Sequence, residues 1–153
     1  MSEFSGKVVI VTGSSSGIGE AIALRLGELG ASVVVNSANS VEAGKAVAAK
    51  IGANAIYVQA DISDKDAGQH LLDETIKNFG KLDILINNAG WTSLVAHHDL
   101  EALTDEIFQK TFAVNVWGTW ALTKAAMPLL KKSDDGNVIT ITSIAGVRPV
   151  GSS

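Results

Sequence analysis

Between positions 12 and 19 the chain reads TGSSSGIG, a run with no charge and one bulky side chain, Ile18. Such a run exposes backbone N–H groups rather than side chains, and its chemistry is that of a cradle for an anion. Val8 to Val11 before it are apolar and β-branched, and the residues after it, as far as position 29, recur at helical spacing. The pattern predicts a strand, a glycine turn and a helix. Gly13 ends the strand in a turn that takes positive φ, Gly17 lets a ligand approach the backbone, and Gly19 lets the helix lie against the strand. Ser15, Ser16 and Ile18 complete the loop. A helix N-terminus offers unpaired N–H groups and the positive end of its dipole, which suits a pyrophosphate. The spacing is Gly-x-x-x-Gly-x-Gly, and no Gly-Lys-Ser/Thr follows, so this is not a Walker loop. On spacing alone, a glycine-rich turn without a ligand is the alternative.

Further polar residues fall at regular intervals. After a second β-branched run come Asn36, Ser37, Ala38, Asn39 and Ser40, with no carboxylate before Glu42. A dinucleotide fold that prefers NAD places an acid here for the ribose diol, so its absence permits a 2′-phosphate. Asp61-Ile62 follows the third run: the acid can accept from an adenine amino group and the Ile can pack on the ring, or the pair is an ordinary turn. Asn87-Asn88-Ala89-Gly90 follows the fourth, where a small residue and a glycine allow close backbone approach. Asn115 interrupts an apolar helical stretch, and Ser143 follows a fifth apolar run. His97-His98 with Asp99 and Glu101 lack the helical spacing of metal ligands and read as a polar loop; no metal site is expected. Trp91, Trp117 and Trp120 read as packing residues, with Trp91 placed to line a substrate site.

These residues must be positioned by the elements between them. Strands are expected at 8–11, 32–35, 55–58, 82–86 and 137–142, and helices at 41–51, 64–79 and, as one long segment, 105–131. Ser63 and Asp66 suggest a capping box for the second of these helices. Strand and helix alternate throughout, and the strands are too apolar to be wet on either face. The expectation is an α/β fold: a doubly wound, Rossmann-type parallel sheet with helices on both faces, its ligand crevice at the carboxyl ends of the strands. The functional loops are then 12–19, 36–40, 59–62, 87–95 and 142–153.

Composition agrees with one domain over residues 1–153. The chain is 46% hydrophobic and 18% charged, with 15 glycines, two prolines and no cysteine, which excludes disulfides and thiolate chemistry. A net charge of −4 with no basic cluster beyond Lys131-Lys132 makes nucleic acid and anionic membrane poor partners. The N-terminus carries no signal-like apolar stretch, and a cytoplasmic location is expected.

Taken together, the TGxxxGIG loop, Asp61-Ile62, the NNAG run at 87–90, Asn115 in VNVWGT and Ser143 in ITSIAG resemble, in order, the motifs of the short-chain dehydrogenase/reductase family. The resemblance implies hydride transfer between a nicotinamide and an alcohol or carbonyl carbon. It implies that Ser143 hydrogen-bonds the substrate oxygen and that Asn115 helps hold a water in a proton relay. NADP(H) is the favoured cofactor and NAD(H) the alternative; the partner is a small alcohol or carbonyl substrate, and the whole enzyme is expected to be a homo-oligomer. The chain departs from the family at the proton donor, a Tyr followed four positions later by Lys. Its single tyrosine, Tyr57, lies in the third strand with Asp61 four positions on. The expectation is therefore the amino-terminal portion of a longer oxidoreductase, truncated after the fifth strand and inactive alone. The rival is a non-catalytic dinucleotide-binding or interaction module.

Overall fold

A computed structural model describes residues 2–96 and 98–147. The β-branched runs form five parallel strands: β1 Val8–Val11, β2 Ser32–Ser37, β3 Ala55–Gln59, β4 Ile84–Asn87 and β5 Asn137–Thr140. They lie in the order β3-β2-β1-β4-β5, so the chain winds outward from β1 in one direction and then in the other. Val9 pairs with Val33 on one side and Ile84 on the other, which places β1 at the centre.

Side-chain alternation along the strands sorts the core into two layers. Val9, Val11, Val33, Val35 and Ile86 face α1 (Gly17–Glu28) and α2 (Val41–Ile51), meeting Ala23, Leu26, Val47 and Ala48. Ile10, Val34, Val58 and Leu85 face α3 (Ala67–Phe79) and α5 (Thr119–Leu130), meeting Leu71, Leu72, Leu122 and Ala126. With both faces covered, no position of β1 is more than 3% exposed. This is the doubly wound sheet expected from the alternation. The switch in winding direction falls between β1 and β4, and it opens a crevice at their carboxyl ends.

The opposite end of the sheet is tied by one carboxylate. Asp83, 2% exposed, accepts from the Val8 N–H at 2.8 Å and the Ser133 hydroxyl at 2.6 Å, and pairs with Lys81 at 2.9 Å. Burial pushes its pKa up. The bonds from Ser133, Lys81 and Val8, with the Lys81 charge, outweigh burial and hold it below the ordinary carboxylate value.

Three expectations about the elements are corrected. The capping box does not form: Ser63 donates both its N–H and its hydroxyl to Asp61 Oδ1, at 3.0 and 2.7 Å, and α3 begins only after Asp66. Asp61 closes a local turn and captures the residue meant to cap the helix. The long helix at 105–131 is three pieces: α4 Asp105–Phe112, a π-helical turn Ala113–Gly118, and α5. The π turn keeps Val114 and Gly118 buried while Asn115 faces the loop after β4. Finally, β2 runs on to Ser37, so Asn36 and Ser37 sit in the sheet rather than in a loop, and β5 stops at Thr140.

Candidate functional site

The loop after β1 is held open by its neighbours. Gly13 takes φ +63°, and a Cβ there would come within 2.8 Å of the Ala89 backbone, so the loops after β1 and β4 touch at this point. Thr12 Oγ1 accepts from the N–H groups of Asn88 and Ala89, both at 2.9 Å. The Asn88 amide donates back to the carbonyls of Thr12 and Gly13. Gly19 presses against the same contact, since a Cβ on it would meet the Gly13 carbonyl and the Asn88 amide. Gly17 differs. It takes φ +58°, but a Cβ on it would meet nothing within 4 Å, because that side of the loop faces open space.

Asn36 locks the loop from the β2 side. It is 1% exposed, accepts from the Gly13 N–H at 3.3 Å and donates to the carbonyls of Val58 and Ala60 at 3.1 and 3.0 Å. Its neighbour Ser37 shares a 2.9 Å hydrogen bond with the hydroxyl of Tyr57.

These loops wall a cavity of about 480 Å³ at the carboxyl end of the sheet. Gly13, Ser15, Ser16, Ile18 and Gly19 form one side; Asn36, Ser37, Asp61 and Ile62 form another; Asn88, Ala89 and Gly90 form the third. Two helices start at its wall with their caps unused: neither Ser16 before α1 nor Ser40 before α2 makes a side-chain capping bond. In α2 the Val41 N–H turns instead to the Asn39 carbonyl at 3.0 Å, and both helices begin at the cavity wall with the positive ends of their dipoles there. Its charged lining side chains are Asp61 and Lys110. The loop and the helix dipoles fit the phosphates of a dinucleotide.

A second cavity of about 570 Å³ adjoins the first and shares Ile18, Asn88, Ala89, Gly90 and Trp91 with it. Ser143 and Asn115 both line it, so the two residues to which the sequence resemblance gives a part in the reaction come together although 28 positions separate them. Ser143 Oγ accepts from the Ala145 N–H at 3.2 Å. Asn115 is exposed, and its amide clasps the Trp91 backbone with two 2.8 Å bonds, one to the N–H and one to the carbonyl. The indole of Trp91 is held from its other side by Lys110, whose ammonium lies 4.5 Å from the ring centroid.

Lys110 and Val114 were not apparent as lining residues from the sequence. Their i, i+4 spacing is the available signal, and it gains meaning only once α4 and the π turn after it are known to reach the cavity wall. Thr12 and Ser14 were also missed as organisers; Ser14 Oγ donates to the Val11 carbonyl and accepts from the Asn36 N–H. Among the described residues no group of three or more His, Cys, Asp or Glu is placed to hold a metal ion; His97 lies outside them. No helix among them is long and apolar enough to cross a membrane.

Comparison with known proteins agrees with this geometry. The chain is 49% identical over 146 residues to a protein of Streptomyces violaceoruber assigned as ketoacyl reductase 2 of the granaticin polyketide synthase, covering 95% of this chain and 58% of that one. The fold matches a 3-ketoacyl-(acyl-carrier-protein) reductase from Brucella melitensis complexed with NADH, with TM-score 0.90 and 32% identity over 97% of this chain and 61% of that one. It also matches a short chain dehydrogenase from Burkholderia cenocepacia in complex with NADP, with TM-score 0.89 and 36% identity over 98% and 60%. The chain thus spans about three fifths of the length of these relatives. Residues 7–153 match the family model for short chain dehydrogenases, and with a Rossmann-type sheet, a glycine loop at its switch point and Ser143 beside it, the chain belongs to that family.

Proposed function

We propose that the protein is an NADPH-dependent carbonyl reductase, and that these residues form its cofactor-binding portion and one wall of its substrate site. The observation that carries the reading is that α1 and α2 both begin, uncapped, at one cavity. Two such starts suit a ligand with two phosphate positions: a pyrophosphate over Gly13, Ser15, Ser16, Gly17, Ile18 and Gly19, and a 2′-phosphate over Ser37, Asn39 and Ser40. No acid stands at 36–40 to repel the second. Asp61 spends Oδ1 on Ser63 and keeps Oδ2 for an adenine amino group, with Ile62 against the ring. Asn36 and Asn88 serve by holding the loops, since their amide hydrogens already bond backbone carbonyls.

When bound, the nicotinamide supplies the hydride. The chain's own part is to hold the carbonyl. Ser143 takes its local bond as an acceptor, so its hydroxyl hydrogen is left for a carbonyl oxygen. Asn115 orients Trp91 and keeps one amide hydrogen and one lone pair for a water. The ketoacyl reductases among the relatives suggest a ketoacyl substrate. The alkoxide formed from it needs a proton, and Tyr57 is tied to Ser37, away from the second cavity. We assign the proton donor to none of the described residues, so residues 1–153 are expected to show no turnover.

Calorimetric titration tests the cofactor assignment. NADPH should bind about tenfold more tightly than NADH, the scale of one charge-assisted hydrogen bond. Ser37→Asp should reverse the order by repelling the phosphate. Equal or tighter binding of NADH by the unmodified protein would overturn the assignment.

A further inference from the structure

Tyr57 has no place on the wall of either cavity, yet its hydroxyl ends beside a residue that does. It stands in β3, opposite Val35 of β2, and its half-buried ring packs against α2 at Gly44. The fit is close. A Cβ at Gly44 would come within 2.2 Å of Tyr57 Cε2, so the bare backbone of α2 makes room for the ring. Packing therefore fixes the hydroxyl at the end of β2, 2.9 Å from Ser37 Oγ and 3.5 Å from the Ser37 carbonyl. Ser37 is 6% exposed and lines the first cavity at the start of the 37–40 segment.

The phenol has one hydrogen to give, and Ser37 Oγ is the nearer of its two acceptors. If the phenol donates to Oγ, the serine's own hydrogen is left for another acceptor, and Ser37 lines the cavity where a ligand would offer one. We propose that Tyr57 is a positioning residue for cofactor selection: its hydroxyl donates to Ser37 Oγ and aims the serine hydroxyl at a 2′-phosphate. This rests on the NADPH reading above. An anion at the end of the chain would polarise both bonds in the same sense and strengthen them. The chosen group is thus held by a serine whose donor direction is set from an adjacent strand, with no arginine in the 36–40 segment. The opposite arrangement, Ser37 donating to Tyr57 and Tyr57 to the Ser37 carbonyl, would leave no hydrogen for a ligand and makes the test decisive.

The probes are 2′,5′-ADP and 5′-AMP, which differ only in the 2′-phosphate, titrated calorimetrically into the wild type, Tyr57→Phe, Ser37→Ala and the double variant. Tyr57→Phe keeps the ring and removes only the hydroxyl. It should weaken 2′,5′-ADP by about three- to tenfold and leave 5′-AMP within about twofold, as for one hydrogen bond between neutral groups. The double variant should bind 2′,5′-ADP no more weakly than Ser37→Ala alone, because the tyrosine acts through the serine. Unchanged or tighter 2′,5′-ADP binding by Tyr57→Phe, or an equal loss for both probes, overturns the proposal.

A measurement on the unmodified protein covers the case in which a variant fails to fold. Tyr57 is the sole tyrosine, so a ¹³Cζ label on tyrosine gives one signal. That signal should shift with 2′,5′-ADP and stay in place with 5′-AMP. The same response to both overturns the relay. A wild type that binds 5′-AMP as tightly as 2′,5′-ADP overturns the NADPH reading itself and takes the relay with it.

Discussion

The two sides of the crevice are built differently. On the β1–β2–β3 side, polar groups close on one another: Asn36, Ser14 and Thr12 tie the loop after β1 to its neighbours, Asn88 reaches in from the loop after β4, and the β2 residues Val33 to Ser37 are buried. On the β4–β5 side, the residues proposed to serve the reaction stand in the open. Most of β5 is exposed, Trp117 and Trp120 are 66% and 56% exposed, and Ile144 after Ser143 is 64% exposed. The first side holds its shape by its own contacts. The second presents apolar surface of the kind that monomeric domains keep small. The difference teaches that the proposed adenosine site and the proposed carbonyl site rest on different supports, so each should be open to disturbance with the other left standing.

The largest effect is expected where the closed side is tightest. A valine at Gly19 would drive its Cβ into the Gly13 carbonyl and the Ser14 Cα, both backbone atoms that cannot step aside. Gly19→Val should cost about 4 kcal/mol or more, at the upper end of overpacking and strain. Gly17→Val meets no atom, and its left-handed φ costs about 1–2 kcal/mol. Urea denaturation should therefore separate the two variants clearly. Titration should show Gly17→Val weakening NADPH more than it weakens folding, because its side chain would occupy the open space in front of the loop. A Gly17 variant with unchanged affinity and an intact fold would remove the loop as the phosphate site.

Asp83 gives the next effect, because it ties β1 to β4 and to the turn before β5 and so joins the two sides. Asp83→Asn keeps the shape and loses charge-assisted bonds, at a cost of about 2 kcal/mol. Its pH dependence carries a definite sign. The folded carboxyl has a lowered pKa, so its contribution is complete above the unfolded value of about 3.9 and is lost as pH falls through the folded value. The acid limb of the wild-type stability curve should be steeper than that of Asp83→Asn, and the two should converge at the lowest pH.

Much of the closed side was legible in the sequence because its signals are local. The run from Val8 to Gly19 states strand, turn and helix within twelve residues, and the spacing of its glycines matches the tasks they perform. Asn36 was legible as a polar residue at the right place but not as a strand residue, because its reward is bonding to Val58 and Ala60, more than twenty positions away. The π turn was invisible for the same reason. The stretch from 105 to 131 has unbroken helical character, and what unwinds it is the packing of Gly118 against the Ile62 carbonyl and the pull of Asn115 on Trp91. Tyr57 could be placed in the third strand but not beside Ser37, since nothing local says where its hydroxyl ends.

On the open side the expected effects on stability shrink. Asn115→Ala removes two hydrogen bonds from an exposed site and should cost about 1 kcal/mol or less. Its sharper consequence is local: the Trp91 N–H loses its acceptor, and its amide exchange should quicken while β1 and β2 stay protected. If all strands exchanged faster together, the two sides would be one cooperative unit and the comparison would fail.

The smallest effect on stability is expected at the sheet edge, where association is the more telling readout. β5 pairs with β4 on one side, and its other edge meets no strand among the described residues; Ile139 is 43% exposed. An apolar strand with an unpaired row of N–H and C=O groups is a template for another chain. Ile139→Lys removes little buried contact and adds a charge that a second strand would have to desolvate, so denaturant stability should move by no more than about 0.5 kcal/mol. Concentration-dependent light scattering of residues 1–153 should nonetheless fall, because charged side chains on an edge discourage strand addition. The matched control lies in the core: Leu122, 1% exposed beneath the sheet, should cost about 2–5 kcal/mol when replaced by Ala, through lost burial and the cavity left behind. A large stability loss from Ile139→Lys would mean that β5 belongs energetically to the closed side, and unchanged scattering would mean that association runs through another surface.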